Sequence, residues 1–141
     1  MNKILVFSLL LLAACSGKEK KSASAEWKEL ESFHKVMADV FHPLKDSGNL
    51  APAKQLASQL ASEAERLATS TLPEKINNDE MKSDLEKLKT DSRSLAEEIA
   101  KGASDQIVKE KLNALHEQFH KIMEAASGGE HHDHEKREHE H

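Results

Sequence analysis

Apolar residues recur along most of this chain in alternating steps of three and four, the spacing that keeps one side of an α-helix turned inward. Four such stripes are visible. The first is Trp27, Leu30, His34, Met37, Phe41 and Leu44, and the second is Leu56, Leu60, Ala64 and Leu67. The third is Met81, Leu85, Leu88, Ser92, Leu95 and Ile99, and the fourth is Val108, Leu112, Leu115, Phe119, Ile122 and Ala126. Punctuation falls between them. Ser24 is placed to cap the first helix, and Gly48 lies just past its end. Pro43 lacks a backbone donor and crowds the carbonyl four residues back, which predicts a kink or an early stop near His42. Pro52 suits the first turn of the second helix and Leu72-Pro73 ends it. Asn78 or Asp79 opens the third helix, Gly102 closes it, and Ser104 or Asp105 caps the fourth.

Four amphipathic helices with short connections predict an all-α fold, an antiparallel up-down-up-down four-helix bundle over residues 26–126. A coiled-coil oligomer is the competing use of such stripes, but the breaks at Pro43, Pro73 and Gly102 favour helices that fold back on themselves. Composition agrees, because Ala, Leu, Glu and Lys dominate and no β-rich run occurs. The formal net charge of −5, with no basic stripe, argues against nucleic acid as a partner.

The N-terminus follows a different pattern. Lys3 precedes an unbroken apolar run, Ile4 to Leu12, followed by Ala13, Ala14 and the only cysteine of the chain, Cys15. That is a charged n-region, an h-region and a small-residue cleavage site, and the run is about half the ~20 residues that a membrane-spanning helix needs. Leu12-Ala13-Ala14-Cys15 resembles the lipobox of bacterial lipoproteins. The resemblance implies removal of residues 1–14, acylation of Cys15, and a protein anchored by lipid to a membrane of the bacterial envelope, facing the periplasm or the exterior. An ordinary secretory signal with a stray cysteine is the alternative, and it also exports the protein. Residues 15–25 read as the lipidated cysteine and a flexible Ser, Gly, Lys and Ala-rich tether. With Cys15 used for lipid, no cysteine remains for a disulfide, a thiolate metal site or a nucleophile.

Nine histidines fall into two groups. His34, His42, His116 and His120 lie on the first and fourth helices. His34 takes a core position of its stripe, where an aliphatic residue would be ordinary. His116 and His120 are one turn apart on the same face, on the flank of the apolar stripe, and His42 is on the corresponding flank of the first helix. If Trp27 is level with Ala126, His34 falls opposite Phe119, between His116 and His120, whereas His42 lies about 12 Å away along the axis. An i, i+4 histidine pair with a third imidazole from a neighbouring helix is a common way to hold Zn, Cu or Ni. Met37, Met123, Glu31 or Glu117 would add a further ligand, methionine favouring copper and carboxylate favouring zinc or nickel. The competing reading makes His34 a space-filling core residue and His116 and His120 solvated flank residues.

The tail after Gly128-Gly129 carries the other five, His131, His132, His134, His139 and His141, interleaved with acidic residues and with no apolar residue at all. Residues 127–141 are therefore predicted to be disordered. Interleaving distinguishes the tail from a uniform purification tag, and such tracts gather divalent ions loosely. A charged, solubilising tail is the alternative.

Asn49-Leu50-Ala51-Pro52-Ala53-Lys54 opening the second helix, Pro73 closing it, Met81-Lys82 near the start of the third and Phe119-His120 near the end of the fourth are similar to the cytochrome b562-like four-helix bundles of the bacterial envelope. The resemblance spans most of residues 26–124. It implies b-type haem held by a methionine on the first helix and a histidine on the last, and His120 matches that histidine. His34 falls where the methionine would be, which is a departure; it leaves bis-histidine haem through His34 and His120, or a bundle that has exchanged haem for a bare ion. No Cys-x-x-Cys-His occurs, so covalent haem attachment is excluded.

Nothing resembles a nucleophile elbow, a phosphate loop or a paired-carboxylate site, so no enzymatic activity is expected. The leading expectation is an envelope lipoprotein that binds a divalent transition metal through His34, His116 and His120, with His42 the most distant candidate and the tail as capture device. A metal-efflux or other envelope protein is the expected protein partner. Haem-mediated electron transfer and a structural or interaction lipoprotein are the alternatives.

Overall fold

The computed structural model describes residues 27–128. Within them the chain forms four α-helices and one 3-10 turn: α1 (Lys28–Ser47), α2 (Ala51–Thr69), the turn Glu74–Ile76, α3 (Asp79–Ala100) and α4 (Asp105–Ser127). No strand occurs among the described residues. Each helix packs on the next in sequence, and α1 and α4 close the ring with fewer close backbone approaches than any sequential pair. The antiparallel four-helix bundle is thus the fold. The apolar stripes are its core, with Leu60, Leu67, Leu88, Val108, Leu112 and Ile122 almost wholly withdrawn from water.

The capping chemistry sets most boundaries. Asn78 Oδ1 accepts a 2.8 Å hydrogen bond from the Met81 amide at the start of α3, and Ser104 Oγ accepts from Ile107 at the start of α4. At the end of α3, left-handed Gly102 lets its own N–H reach Ile99 O while Ala103 N–H reaches Glu98 O, a Schellman closure. The first helix is capped differently from expectation. Ser24 lies outside the described residues, and the N-cap position is held by Trp27, whose side chain is buried and whose Nε1–H donates to Ser70 Oγ at 2.8 Å. The indole ties the start of α1 to the end of α2.

Three further expectations are corrected. α1 does not stop near His42 but runs through Pro43 to Ser47. An interior proline costs about 3 kcal/mol, but the last turn carries Leu44, which is buried, and such burial is worth about 1.5–3 kcal/mol. The Pro43 carbonyl also accepts from Ser47 Oγ and Asn49 N–H, and Gly48 N–H bonds Leu44 O at 2.8 Å, so the turn is closed on itself. α2 ends at Thr69, ahead of Leu72-Pro73, and the intervening loop contains the 3-10 turn that buries Ile76. Finally, Leu56 and Ile99 are only partly buried; the inward face of α2 is Ala53, Ala57, Leu60, Ala64 and Leu67.

Among the described residues Ser92 is the one buried polar side chain, with no hydrogen-bond partner for its hydroxyl. A buried donor without a partner costs roughly 1–3 kcal/mol. Ser92→Ala is therefore expected to stabilise the bundle by about 1 kcal/mol, read as a higher denaturant midpoint with an unchanged slope.

Candidate functional site

Helix α4 is held to α3 along one flank. Lys121 Nζ pairs with Asp84 at 3.0 Å and with Glu80 at 3.5 Å, Gln118 Nε2 donates to Asp84 O, and Lys111 Nζ donates to Ser94 Oγ. Asp84, bonded to Lys121 and close to it in charge, raises the lysine's pKa above its usual range. With that flank committed to α3, the flank carrying His116 and His120 is turned toward α1.

Between α1 and α4 lies a cleft of about 620 Å³. From α1 it is lined by His34, Met37, Ala38, Phe41 and His42; from α4 it is lined by His116, Phe119, His120, Met123 and Glu124. All four helical histidines therefore line one cleft. Its floor is aromatic. Phe33 and Phe119 meet with ring centroids 4.9 Å apart, joining α1 to α4 beneath the histidines.

The imidazoles are held in distinct ways. The His116 ring is stacked on Phe41, centroids 3.5 Å apart and planes within 8°. That contact fixes its plane, and its Nε2 faces His120 Nε2 at 3.1 Å. One ring must offer a lone pair to the other's N–H for this contact to be a hydrogen bond. Two nitrogens bound to zinc at 2.0–2.1 Å and a tetrahedral angle stand about 3.3–3.4 Å apart, so the pair is already spaced as neighbouring corners of a metal's coordination shell. The His34 ring lies against Phe119, centroids 5.4 Å apart, at the level the sequence expected.

His34 does not occupy the core, however. Phe33 takes that position, completely buried, and His34 is exposed on the flank. The other residues of the stripe drawn through His34, namely Trp27, Leu30, Met37, Phe41 and Leu44, are buried as expected, and the inward face of α1 also takes in Phe33, Val36 and Val40. The correction moves His34 from a packed position to the wall of a cleft open to ions. His42, two turns along α1 from His34, lines the same cleft beside Phe41, whose ring is the one stacked on His116.

Partial burial holds the His34 imidazole below the usual value near 6.5, helped by the charges of His120 and His42 and opposed by Glu31. The ring is thus neutral, with a lone pair to offer, at neutral pH. Because the folded value is depressed, the unfolded chain takes up the proton first, and the stability present above pH ~6.5 is lost as pH falls through the folded value. The metal-free protein is expected to be less stable at about pH 5 than at about pH 7.5, and His34→Gln should flatten that difference in chemical denaturation.

Of the additional ligand candidates, buried Met37 and half-buried Met123 line the cleft, Glu31 borders a shallow groove beside it with His34, Lys35 and Ala38, and Glu117 lines neither. Sequence reading missed Glu124 and Phe41. Glu124 was legible, since His116, His120 and Glu124 follow one another at steps of four on one face of α4; the stacking of Phe41 depends on a tertiary contact and was not. Among the described residues no three histidine, cysteine or carboxylate side chains stand together at ligand distance. The preset element is the His116–His120 pair, with His34 and His42 across the cleft. Cys15 and the tail residues His131, His132, His134, His139 and His141 lie outside the described residues, as do the tether and the apolar N-terminal run.

No protein-family model matches the chain, and neither a curated protein nor a solved structure is significantly similar to it. No helix among the described residues is long and apolar enough to cross a membrane.

Proposed function

We propose that this protein is an envelope lipoprotein that binds a transition metal ion in the α1–α4 cleft, with His116 and His120 as the preset pair, His34 as the third ligand from the opposite wall and His42 at the mouth. The observation that carries the reading is the 3.1 Å Nε2 separation of His116 and His120 in a cleft lined by two further imidazoles. His34 is exposed on the opposite wall, and exposed side chains change rotamer in picoseconds to nanoseconds. The role is binding rather than catalysis: the ion is taken up by neutral imidazoles and released as they protonate. Lipid attachment at Cys15 rests on the N-terminal pattern, and the histidines of the tail would gather ions near the cleft.

Calorimetric titration of zinc into the full chain, with each of the five tail histidines changed to serine, tests the assignment. One tight site per chain is expected. Absence of binding would confine metal chemistry to the tail.

The size of the cleft favours one second reading. Its volume falls within the roughly 300–1,000 Å³ of small-ligand and cofactor sites, and His34 and His120 stand on opposite walls, an arrangement suited to bis-histidine haem. His116, stacked and paired, is surplus to that role. A Soret band after exposure to haem would select it.

A further inference from the structure

The two walls of the cleft are built from the same short sequence. Glu31-Ser32-Phe33-His34-Lys35-Val36-Met37 on α1 and Glu117-Gln118-Phe119-His120-Lys121-Ile122-Met123 on α4 share Glu, Phe, His, Lys and Met in register, with Val and Ile exchanged. The helices are antiparallel and Phe33 meets Phe119 ring to ring, so the two copies face each other about an approximate twofold axis across the seam. Each copy places one histidine and, three residues later on the same face, one methionine in the lining of the cleft: His34 with Met37, and His120 with Met123.

What each copy withholds is equally informative. Glu31 borders the neighbouring groove, Glu117 does not line the cleft, and Lys121 is drawn to Asp84 and Glu80 on α3. Among the described residues the only carboxylate lining the cleft is Glu124, and it is exposed. The other donors lining the cleft are imidazole nitrogen and thioether sulfur, set among Ala38, Phe41 and Phe119. Thioethers are poor ligands for zinc and nickel and good ones for monovalent copper. Charge points the same way, because the desolvation cost of an ion grows as the square of its charge and a single exposed carboxylate, Glu124, lines the cleft to offset it.

We propose that the ion held in this cleft is copper(I), taking its four ligands from the imidazoles of His34, His116 and His120 and the thioethers of Met37 and Met123 of the paired helix motifs. This rests on the metal-binding reading above and names the ion.

The test uses the full chain carrying Cys15→Ser, His131→Ser, His132→Ser, His134→Ser, His139→Ser and His141→Ser, so that the thiol and the tail contribute nothing. Copper(I) affinity is measured anaerobically against bicinchoninate, and zinc affinity against a chromophoric zinc chelator. Met37→Leu with Met123→Leu is expected to weaken copper(I) binding at least about tenfold while leaving zinc affinity within about twofold, as soft-ligand selectivity requires. Methionine to leucine conserves volume, and a circular-dichroism melt checks that the fold is kept. Should the double variant fail to fold, Met123→Leu alone, at the half-buried position, is read by X-ray absorption, which must show fewer sulfur atoms bound to copper than in the parent chain. Unchanged copper(I) affinity with zinc still bound would overturn copper(I) and leave the histidine site standing. Binding of neither ion would overturn both.

Discussion

Changing His120 to alanine is expected to weaken metal binding in the bundle by roughly 100-fold. A four-ligand zinc site contributes about 10–16 kcal/mol, so one ligand accounts for about 3 kcal/mol, or about two orders of magnitude in Kd. His120 is the residue to change because it belongs to both halves of the site: its Nε2 is 3.1 Å from that of His116, and its charge is felt by His34 across the cleft. Its side chain is exposed, so truncation removes a ligand without opening a cavity. The expected signature is loss of the tight phase in a zinc titration with an unchanged melting temperature of the metal-free protein. Unaltered affinity would remove His120 from the site.

The second large effect concerns the fold beneath the histidines. Phe33→Ala is expected to cost about 3–5 kcal/mol, the range for deleting a large buried aromatic, against a total stability of about 5–15 kcal/mol for a domain of this kind. Phe33 is completely buried and closes the thin α1–α4 seam on Phe119, so its loss should also loosen the cleft and weaken metal binding. His34→Ala, one residue away, is expected to change stability by less than about 0.5 kcal/mol, as surface substitutions do. Denaturant unfolding of the two variants separates a packed position from a wall position. Equal losses for both would mean that α1 is rotated from the orientation described.

That contrast shows where sequence reading succeeds and where it slips. The third and fourth helices were legible almost residue by residue, because their apolar stripes are narrow and their caps, Asn78 and Ser104, are of the standard chemistry. The first helix carries apolar residues at both Phe33 and Trp27, Val36 and Met37, Val40 and Phe41, a broad face through which two stripes can be drawn. Sequence alone does not choose between them, and of the stripe drawn through His34 only His34 itself lies outside the core. Pro43 misled for a related reason: local propensity predicts a break, and the burial of Leu44 and closure at Gly48 outweigh it.

The site was legible as a set and not as an arrangement. Spacing brought His116 and His120 to one face and placed His34 near the level of Phe119, both as found. Convergence of the two flanks depends on which way α1 and α4 lean around the bundle, and this is decided by contacts such as Lys121 with Asp84 that no periodicity reveals. The same holds for the stack of Phe41 on His116.

The most direct test of the central claim is a two-bond proton–nitrogen spectrum of the imidazole rings in the full chain, recorded while zinc is added to one equivalent at pH ~7.5, where neutral rings predominate. Single His→Gln variants assign the signals, and the tail histidines serve as internal controls. The account predicts that the signals of His116, His120 and His34 move together and saturate at one equivalent, before those of the tail respond. Movement of the tail signals alone, with the four helical rings unchanged, would contradict it.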